Sequence, residues 1–310
     1  MFSILLPGYL VGIIKFTMML AVLLFWFAAM LPGVLLKLLP VTAVQRAASR
    51  YCVWIAAQWV GSNHLLYRFI HPMQWDIDVR GRMEPGRSYL LISNHQSWAD
   101  ILVLFDLLHG RTPFARFFMK QQLLLVPIIG LVCWAMDFPF MKRHSREAVA
   151  ANPALRGQDL ETTRRACEIY RSEPVTVVNF LEGTRFTEAK RIASGSPYKH
   201  LLKPKAAGLS FTLNAMGEQF AGIIDVTIAY QPSGKGLIWS WLCGEQDQLA
   251  MHVDLLPLPA ELLHGDYDGD AEFRARFQAW VNGLWQRKDA RLERMLGDRP
   301  ALSPTQAAHS

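Results

Sequence analysis

The sequence predicts an α/β body, a mixed sheet flanked by helices, behind an N-terminal membrane-embedded helical segment. Three observations lead there. Short β-rich apolar runs, Trp75–Val79, Tyr89–Ile92, Val175–Leu181 and Ile223–Tyr230, alternate with stretches of helical character. Two of those runs, Tyr89–Ile92 and Val175–Leu181, stop at polar residues, as strands do when they deliver side chains to a loop. Ahead of them, no residue from Phe16 to Leu36 is charged.

That uncharged run has 21 residues, with Lys15 and Lys37 at its edges. As a helix it is about 30 Å long, one hydrocarbon thickness. A cleaved leader fits poorly, because the run is too long, a basic n-region is missing and no Ala-x-Ala site is present. Pro7-Gly8 interrupts the earlier apolar piece Phe2–Ile14, and Pro32-Gly33 interrupts the longer one. Membrane attachment is expected, and the sequence leaves open a single span or a helical hairpin dipping into one leaflet. Lys37, Arg46 and Arg50 follow the segment while nothing basic precedes Lys15. The positive-inside rule then expects the rest of the chain on the cytoplasmic side, at the inner (cytoplasmic) membrane. Residues 41–72 read as a second apolar helix with Tyr51, Trp54, Trp59 and Tyr67, suited equally to a core or to the headgroup level.

Three regions result: an anchoring helical region over 1–72, an α/β domain over 73–298 and a disordered tail over 299–310. Within the domain, helices are expected after Asp100 to about Gly110, from Arg146 to Arg171 with a break at Asn152-Pro153 and Asp159 as an N-cap, over Ala206–Met216, and in the tail through Phe273, Phe277, Trp280 and Leu284. Met136–Met141 and Leu237–Leu242 read as further strands. An apolar run covers Leu123–Trp134. No internal repeat is visible.

The formal charge of +6 and a pI near 9.2 suit an anionic partner such as a phospholipid surface or a phosphorylated substrate. Nucleic acid is not expected, since the basic residues form no stripe with interleaved aromatics. Cys52, Cys133, Cys167 and Cys243 are far apart in apolar or helical settings, the pattern of buried small hydrophobes in a reducing compartment.

The chemistry-bearing residues sit at the two strand ends. His95 and Asp100 flank the first loop five residues apart. Helix side chains lean towards the N-terminus, so an Asp in the first turn can reach back to that loop. One reading is a capping box, with Ser97 as N-cap and Asp100 returning a hydrogen bond. The other makes His95 a general base whose tautomer Asp100 fixes. The two roles of Asp100 are compatible, because a carboxylate has two oxygens. Glu182-Gly183-Thr184-Arg185 closes the second strand; Gly183 permits an unusual turn, and the Arg185 fork suits phosphate.

Taken together, Asn94-His95-x-x-x-x-Asp100 and Phe180-Leu181-Glu182-Gly183-Thr184-Arg185 resemble the glycerolipid acyltransferase family that includes the 1-acyl-glycerol-3-phosphate acyltransferases, over roughly residues 75–230. Met141-Lys142-Arg143-His144-Ser145, Val178-Asn179-Phe180 and Tyr198–Lys205 are similar to one subgroup, the bacterial membrane acyltransferases related to lysocardiolipin and lysophospholipid acyltransferases. The resemblance implies transfer of a fatty acyl group from acyl-CoA or acyl-carrier protein to the free hydroxyl of a lysophospholipid, foremost 1-acyl-glycerol 3-phosphate. It implies His95 and Asp100 as the catalytic pair. It also implies Glu182, Gly183, Thr184 and Arg185, together with Arg143 and Lys120, as substrate-binding residues. No metal and no cofactor beyond the acyl thioester is implied. Two positions depart from the pattern: Asp137 stands where Gly is usual, and Asp225 stands where the Val-Pro-Val-type strand has its proline. Other acceptors (lysocardiolipin, lysophosphatidylinositol, glycerol 3-phosphate) and a non-catalytic membrane scaffold are the alternatives. An acyl-chain tunnel is expected from Leu123–Trp134 or from the Trp-rich 51–70 region.

Overall fold

Strand β2 (Ser88–Ser93) is central because its sequence is apolar on both faces. Tyr89 and Leu91 pack to one side and Leu90 and Ile92 to the other, each no more than 1% exposed. The computed structural model describes residues 6–70, 74–141, 158–230, 237–244 and 248–297. Around β2 stand β1 (Gln74–Arg80), β3 (Ala115–Phe117), β6 (Thr176–Phe180), β7 (Phe220–Tyr230) and β8 (Gln248–Leu256), in the order β1-β8-β7-β2-β6-β3. β2 runs parallel to β6 and β7, and β3 parallel to β6. β8 is antiparallel to β7 and parallel to β1, so the sheet is mixed. A second, two-stranded parallel sheet joins β4 (Met119–Lys120) and β5 (Phe140–Met141).

Helices cover both faces. On one side lie α1 (Gly8–Lys37), α2 (Thr42–Ile70), α3 (Ala99–Leu108) and α4 (Ile129–Ala135), sharing a core with Tyr89, Leu91 and Val178. On the other lie α5 (Gln158–Cys167), α7 (Ala206–Met216) and α9 (Ala271–Gly297), which pack on Leu90, Ile92 and Val177. Each fully buried Leu or Ile of β2 contributes about 1.5–3 kcal/mol. The short helices α6 (Glu188–Ala193) and α8 (Leu237–Leu242), with short 3₁₀ turns such as Gln121–Leu125, complete the described elements. All four cysteines are free and buried.

Helix α1 runs unbroken through Pro32, so Pro32-Gly33 marks no hairpin in it. Gly33 instead lets α2 approach, since a Cβ there would lie 2.7 Å from Cys52 Sγ. Both lysines that edge the apolar run are buried against the body. Lys15 Nζ donates to Trp241 O at 3.0 Å. Lys37 Nζ donates to Trp134 O and Ala135 O, each at 2.9 Å, and pairs with Asp137. The helix is therefore fastened to the α/β body near both ends, points about 33 Å apart at 1.5 Å per residue.

Three sequence expectations need correction. Leu237–Leu242 is a helix, with Ser240, Trp241 and Leu242 buried and Trp241 O accepting from Lys15. A six-residue apolar run carries no period long enough to separate helix from strand. The strand expected over Met136–Met141 shrinks to Phe140–Met141, because the chain is still turning at Asp137, whose φ is 59°. Asp159 lies inside α5, which already begins at Gln158. The left-handed backbone at Asp137 accounts for glycine being usual there; Asp is among the side chains that tolerate it. Here the Lys37 pair holds the carboxylate, and the Tyr170 hydroxyl donates to the Asp137 carbonyl. Arg143 and the tail over 299–310 lie outside the described residues, as does the side chain of Lys120.

Asp225 also finds its explanation in the fold. It faces α9, where the fully buried Lys288 Nζ donates to its Oδ1 at 2.5 Å and to Val226 O at 2.6 Å. Arg291 joins Asp225 to Asp254. A buried pair is roughly neutral against an apolar replacement, yet breaking it leaves one charge stranded. Lys288→Met should therefore destabilise the protein, by less than the about 3–5 kcal/mol of a fully stranded charge because Arg291 stays beside Asp225. Asp225→Val with Lys288→Met should recover most of that loss. Denaturant melts of the single and double variants check this; equal losses in both would show that the charges do not depend on each other.

Candidate active site

Strands β2 and β6 end side by side, with Ser93 opposite Phe180 in parallel register. The loops that follow them, one carrying His95 and the other Glu182–Arg185, are therefore neighbours at the carboxyl edge of the sheet, where open α/β sheets place their sites. Two hydrogen bonds stitch the loops together. His95 N–H donates to Glu182 Oε1 at 2.9 Å, and Phe186 N–H donates to His95 O at 2.7 Å. Asn94 ties the first loop to β7 by exchanging both its amide bonds with the Ile228 backbone, each at 2.9 Å.

Asp100 stands in the first turn of α3 and is fully buried. Its Oδ2 accepts from Gln96 N–H (2.6 Å), Ser97 N–H (2.9 Å) and His95 Nδ1 (2.8 Å). The two loop amides and the imidazole share one carboxylate oxygen, while the N-cap of α3 is Trp98 and not Ser97, with no side-chain cap bond. A carboxylate so placed only accepts, so the imidazole carries its proton on Nδ1 and leaves Nε2 free as a base. The His95 side chain is 12% exposed and lies flat on Phe180, ring centroids 4.0 Å apart at 14°.

Oδ1 of Asp100 accepts a fourth hydrogen bond, from the Tyr230 hydroxyl at 2.7 Å. Burial and the adjacent Asp100 charge hold the Tyr230 phenol well above the usual range, so it stays a donor. Neither Tyr230 nor Phe180 was singled out from the sequence. Phe180 opens the second motif, but nothing in the sequence assigns its ring a place beside His95. Tyr230 is 130 residues from its partner and carries no local signal.

The second loop divides its residues between scaffold and surface. Glu182 is 1% exposed, with Oε1 held by His95 N–H and Oε2 by Leu202 N–H at 2.9 Å. It clasps the His95 loop to the basic segment Lys199–Lys205. Burial pushes its pKa up to about 7, opposed by those two amides, with the Asp100 charge raising it further and Lys288 lowering it. Gly183 has φ 67°, and a Cβ there would lie 3.2 Å from Lys205 Nζ. Lys190 Nζ braces the turn from outside through Thr184 Oγ1 (2.8 Å) and Arg185 O (2.9 Å). Arg185 is exposed, its guanidinium 5.1 Å from the ring centroid of Trp98. Trp98 belongs to the loop that follows His95, so the Arg185 side chain meets that loop as well.

A cavity of about 400 Å³ lies elsewhere, lined by Val53, Trp54, Val60, Phe105, His109 and Phe114 among others. It draws on the Trp-rich 51–70 region and the C-terminal end of α3, the end remote from His95; Leu123–Trp134 contributes nothing to its lining. Among the described residues, no group of three or more His, Cys, Asp or Glu side chains could hold a metal ion.

The fold and this sheet edge define an α/β protein with a carboxylate-oriented imidazole at the end of one strand and a guanidinium at the end of its neighbour. The chain belongs to the Acyltransferase family, whose family model matches residues 76–231, half of its length. It is similar to mouse (Mus musculus) 1-acyl-sn-glycerol-3-phosphate acyltransferase gamma, 27% identical over 211 residues, 65% of this chain and 51% of that protein. It is also similar to 2-acyl-1-lysophosphatidylinositol acyltransferase of Saccharomyces cerevisiae, 24% identical over 262 residues, 71% of this chain and 64% of that protein. Lysocardiolipin acyltransferase 1 of Danio rerio is 25% identical over 223 residues, 68% of this chain and 53% of that protein. The matches thus span between half and two thirds of the length of these relatives. The crystal structure of the 1-acyl-sn-glycerophosphate acyltransferase PlsC from Thermotoga maritima aligns over 91% of this chain and 96% of that chain, at TM-score 0.49 and 16% identity.

Glu182 gives a pH test of the clasp. The folded chain retains its proton between 4.5, the ordinary value, and about 7, where an unfolded chain has released it. Its contribution to stability is present below that window and is lost as pH rises through it. Thermal melts of wild type and Glu182→Gln should therefore show the wild type gaining on the variant as pH falls from about 7 towards 4.5. A difference that is constant with pH would mean the carboxyl is not desolvated.

Proposed function

We propose that this chain is an O-acyltransferase that moves a fatty acyl group from acyl-CoA or acyl-carrier protein to the free hydroxyl of a lysophospholipid, foremost 1-acyl-glycerol 3-phosphate, giving phosphatidic acid. The observation that carries the reading is the His95–Asp100 hydrogen bond at 2.8 Å beside the Arg185 loop. A hydroxyl is a weak nucleophile at neutral pH, so His95 Nε2 removes its proton as the oxygen attacks the thioester carbonyl. The tetrahedral intermediate collapses with loss of the thiolate, which takes the proton back from the imidazolium. Asp100 holds Nδ1–H throughout and balances the positive ring, as the third member of a triad does. The acceptor hydroxyl is the nucleophile, so the mechanism needs no enzyme serine or cysteine. Arg185 binds the acceptor phosphate as a planar fork, with Arg143 and Lys120 as further cations and Gly183 and Thr184 shaping the turn.

The relatives named for lysophosphatidylinositol and lysocardiolipin keep those acceptors as a second reading. An acceptor panel scored by product identity separates them. His95→Ala should lower acyl transfer about 10²- to 10⁴-fold in a protein that remains folded; transfer at the wild-type rate would remove His95 from the mechanism. Arg185→Ala should weaken use of phosphorylated acceptors selectively, and an equal loss with a phosphate-free acceptor would exclude the clamp.

The same reading places the enzyme on the cytoplasmic face of the inner membrane. Helix α1 turns Tyr9, Ile13, Phe16, Phe25 and Leu35 outward, and Leu125, 85% exposed, adds an apolar loop with Ile128 and Ile129. Lys15 and Lys37, near the two ends of the helix, both bond the body, and on this reading both ends stay on the side of the membrane where the body lies. The reading therefore has the helix, apolar around its whole circumference, dip into one leaflet without crossing to the other side. Tags at the N- and C-termini, probed with protease in sealed vesicles, should be cut or protected together; opposite outcomes for the two would establish a full span.

A further inference from the structure

We infer that Tyr230 is a positioning residue for the acyl transfer, acting through Oδ1 of Asp100 on the orientation and basicity of His95. The inference rests on the reading of His95 as general base. Asp100 has two oxygens with unequal tasks. Oδ2 faces the loop and gathers three donors, the imidazole among them. Oδ1 faces the interior, where the Tyr230 hydroxyl meets it at 2.7 Å. A fully buried carboxylate that loses such a donor either rotates or concentrates its charge on the partners that remain.

Tyr230 is fit for this work by its place in the fold. It ends β7, four residues beyond Val226, which pairs with Ser93, the last residue of β2. It therefore reaches past the end of β2 and under the loop. Its ring is 5% exposed and packed in the same core as Leu91 and Val103. Any buried tyrosine seeks a partner for its hydroxyl. Here that partner is the carboxylate that sets the tautomer of the proposed base. The charged or titratable groups around Asp100 are His95 from the loop, Tyr230 from β7 and Glu182 from the end of β6, with Lys288 of α9 beyond Glu182. The hydroxyl takes up part of the carboxylate charge. Without it, more of that charge falls on the imidazolium, which then keeps its proton to a higher pH.

The test is Tyr230→Phe, which removes one oxygen and keeps the ring, assayed with an acyl-CoA and the best acceptor of the panel. kcat should fall about 10- to 100-fold, the loss of one hydrogen bond to a charged group. KM for both substrates should hold, and the acid limb of the pH–rate profile should move to higher pH. In an Asp100→Asn background the same substitution should add nothing, because the route through the carboxylate is already cut. A 3-fluorotyrosine at position 230 keeps the fold and strengthens the donor, and should move the acid limb to lower pH. An unmoved limb in both variants, a loss confined to KM, or a full additional loss on top of Asp100→Asn would overturn the inference. Failure of the general-base reading is distinguishable, since it would appear as retained transfer in His95→Ala whatever Tyr230 does.

Discussion

The structure of this edge of the molecule depends on one carboxylate kept out of water. Asp100 is fully buried and receives four hydrogen bonds, from two loop amides, an imidazole and a phenol. Burying a carboxylate is expensive unless such donors surround it. The cost is met by bringing together the start of α3, the loop after β2 and the end of β7. An arrangement in which any one of these three moved away would strand the charge. That constraint ties these three elements together and turns His95 Nδ1 towards the carboxylate.

A second buried carboxylate works differently. Glu182 holds two backbone amides from separate loops and touches no imidazole, and burial raises it to about 7. Its position in the Glu-Gly-Thr-Arg turn puts Arg185 outward at the same sheet edge as His95. The division between an inward Glu and an outward Arg follows from Gly183, whose left-handed backbone reverses the chain between them. The two motifs thus form one construction, two neighbouring parallel strands whose end loops are bonded to each other.

Much of this was legible in the sequence. The central strands, α3, α7 and the long C-terminal helix were read from apolar runs and their polar stops. The His95–Asp100 pair was legible because helix geometry lets a first-turn Asp reach back. What escaped depended on tertiary partners. Tyr230 was legible only as the last apolar residue of a strand, since nothing near it in sequence points to Asp100. Asp225 looked like a departure until Lys288 of α9 appeared opposite it, and Asp137 looked like another until its positive φ and its Lys37 pair were seen. Strand β8, by contrast, alternates through Leu249, Met251, Val253 and Leu255, a period-2 signal that went unread. The apolar N-terminus was read correctly as a helix. The burial of its two flanking lysines against the body could not be foreseen, because their partners Trp241, Trp134 and Asp137 lie far along the chain.

The most direct measurement is the proton position on His95, read by NMR of ¹⁵N-histidine-labelled protein with His95→Gln for assignment. The account predicts that the neutral ring carries its proton on Nδ1, towards Asp100, with Nε2 bare, and that Asp100→Asn disturbs this preference. A neutral ring protonated on Nε2 in the wild-type protein would contradict it, because the atom assigned to take the hydroxyl proton would already hold one.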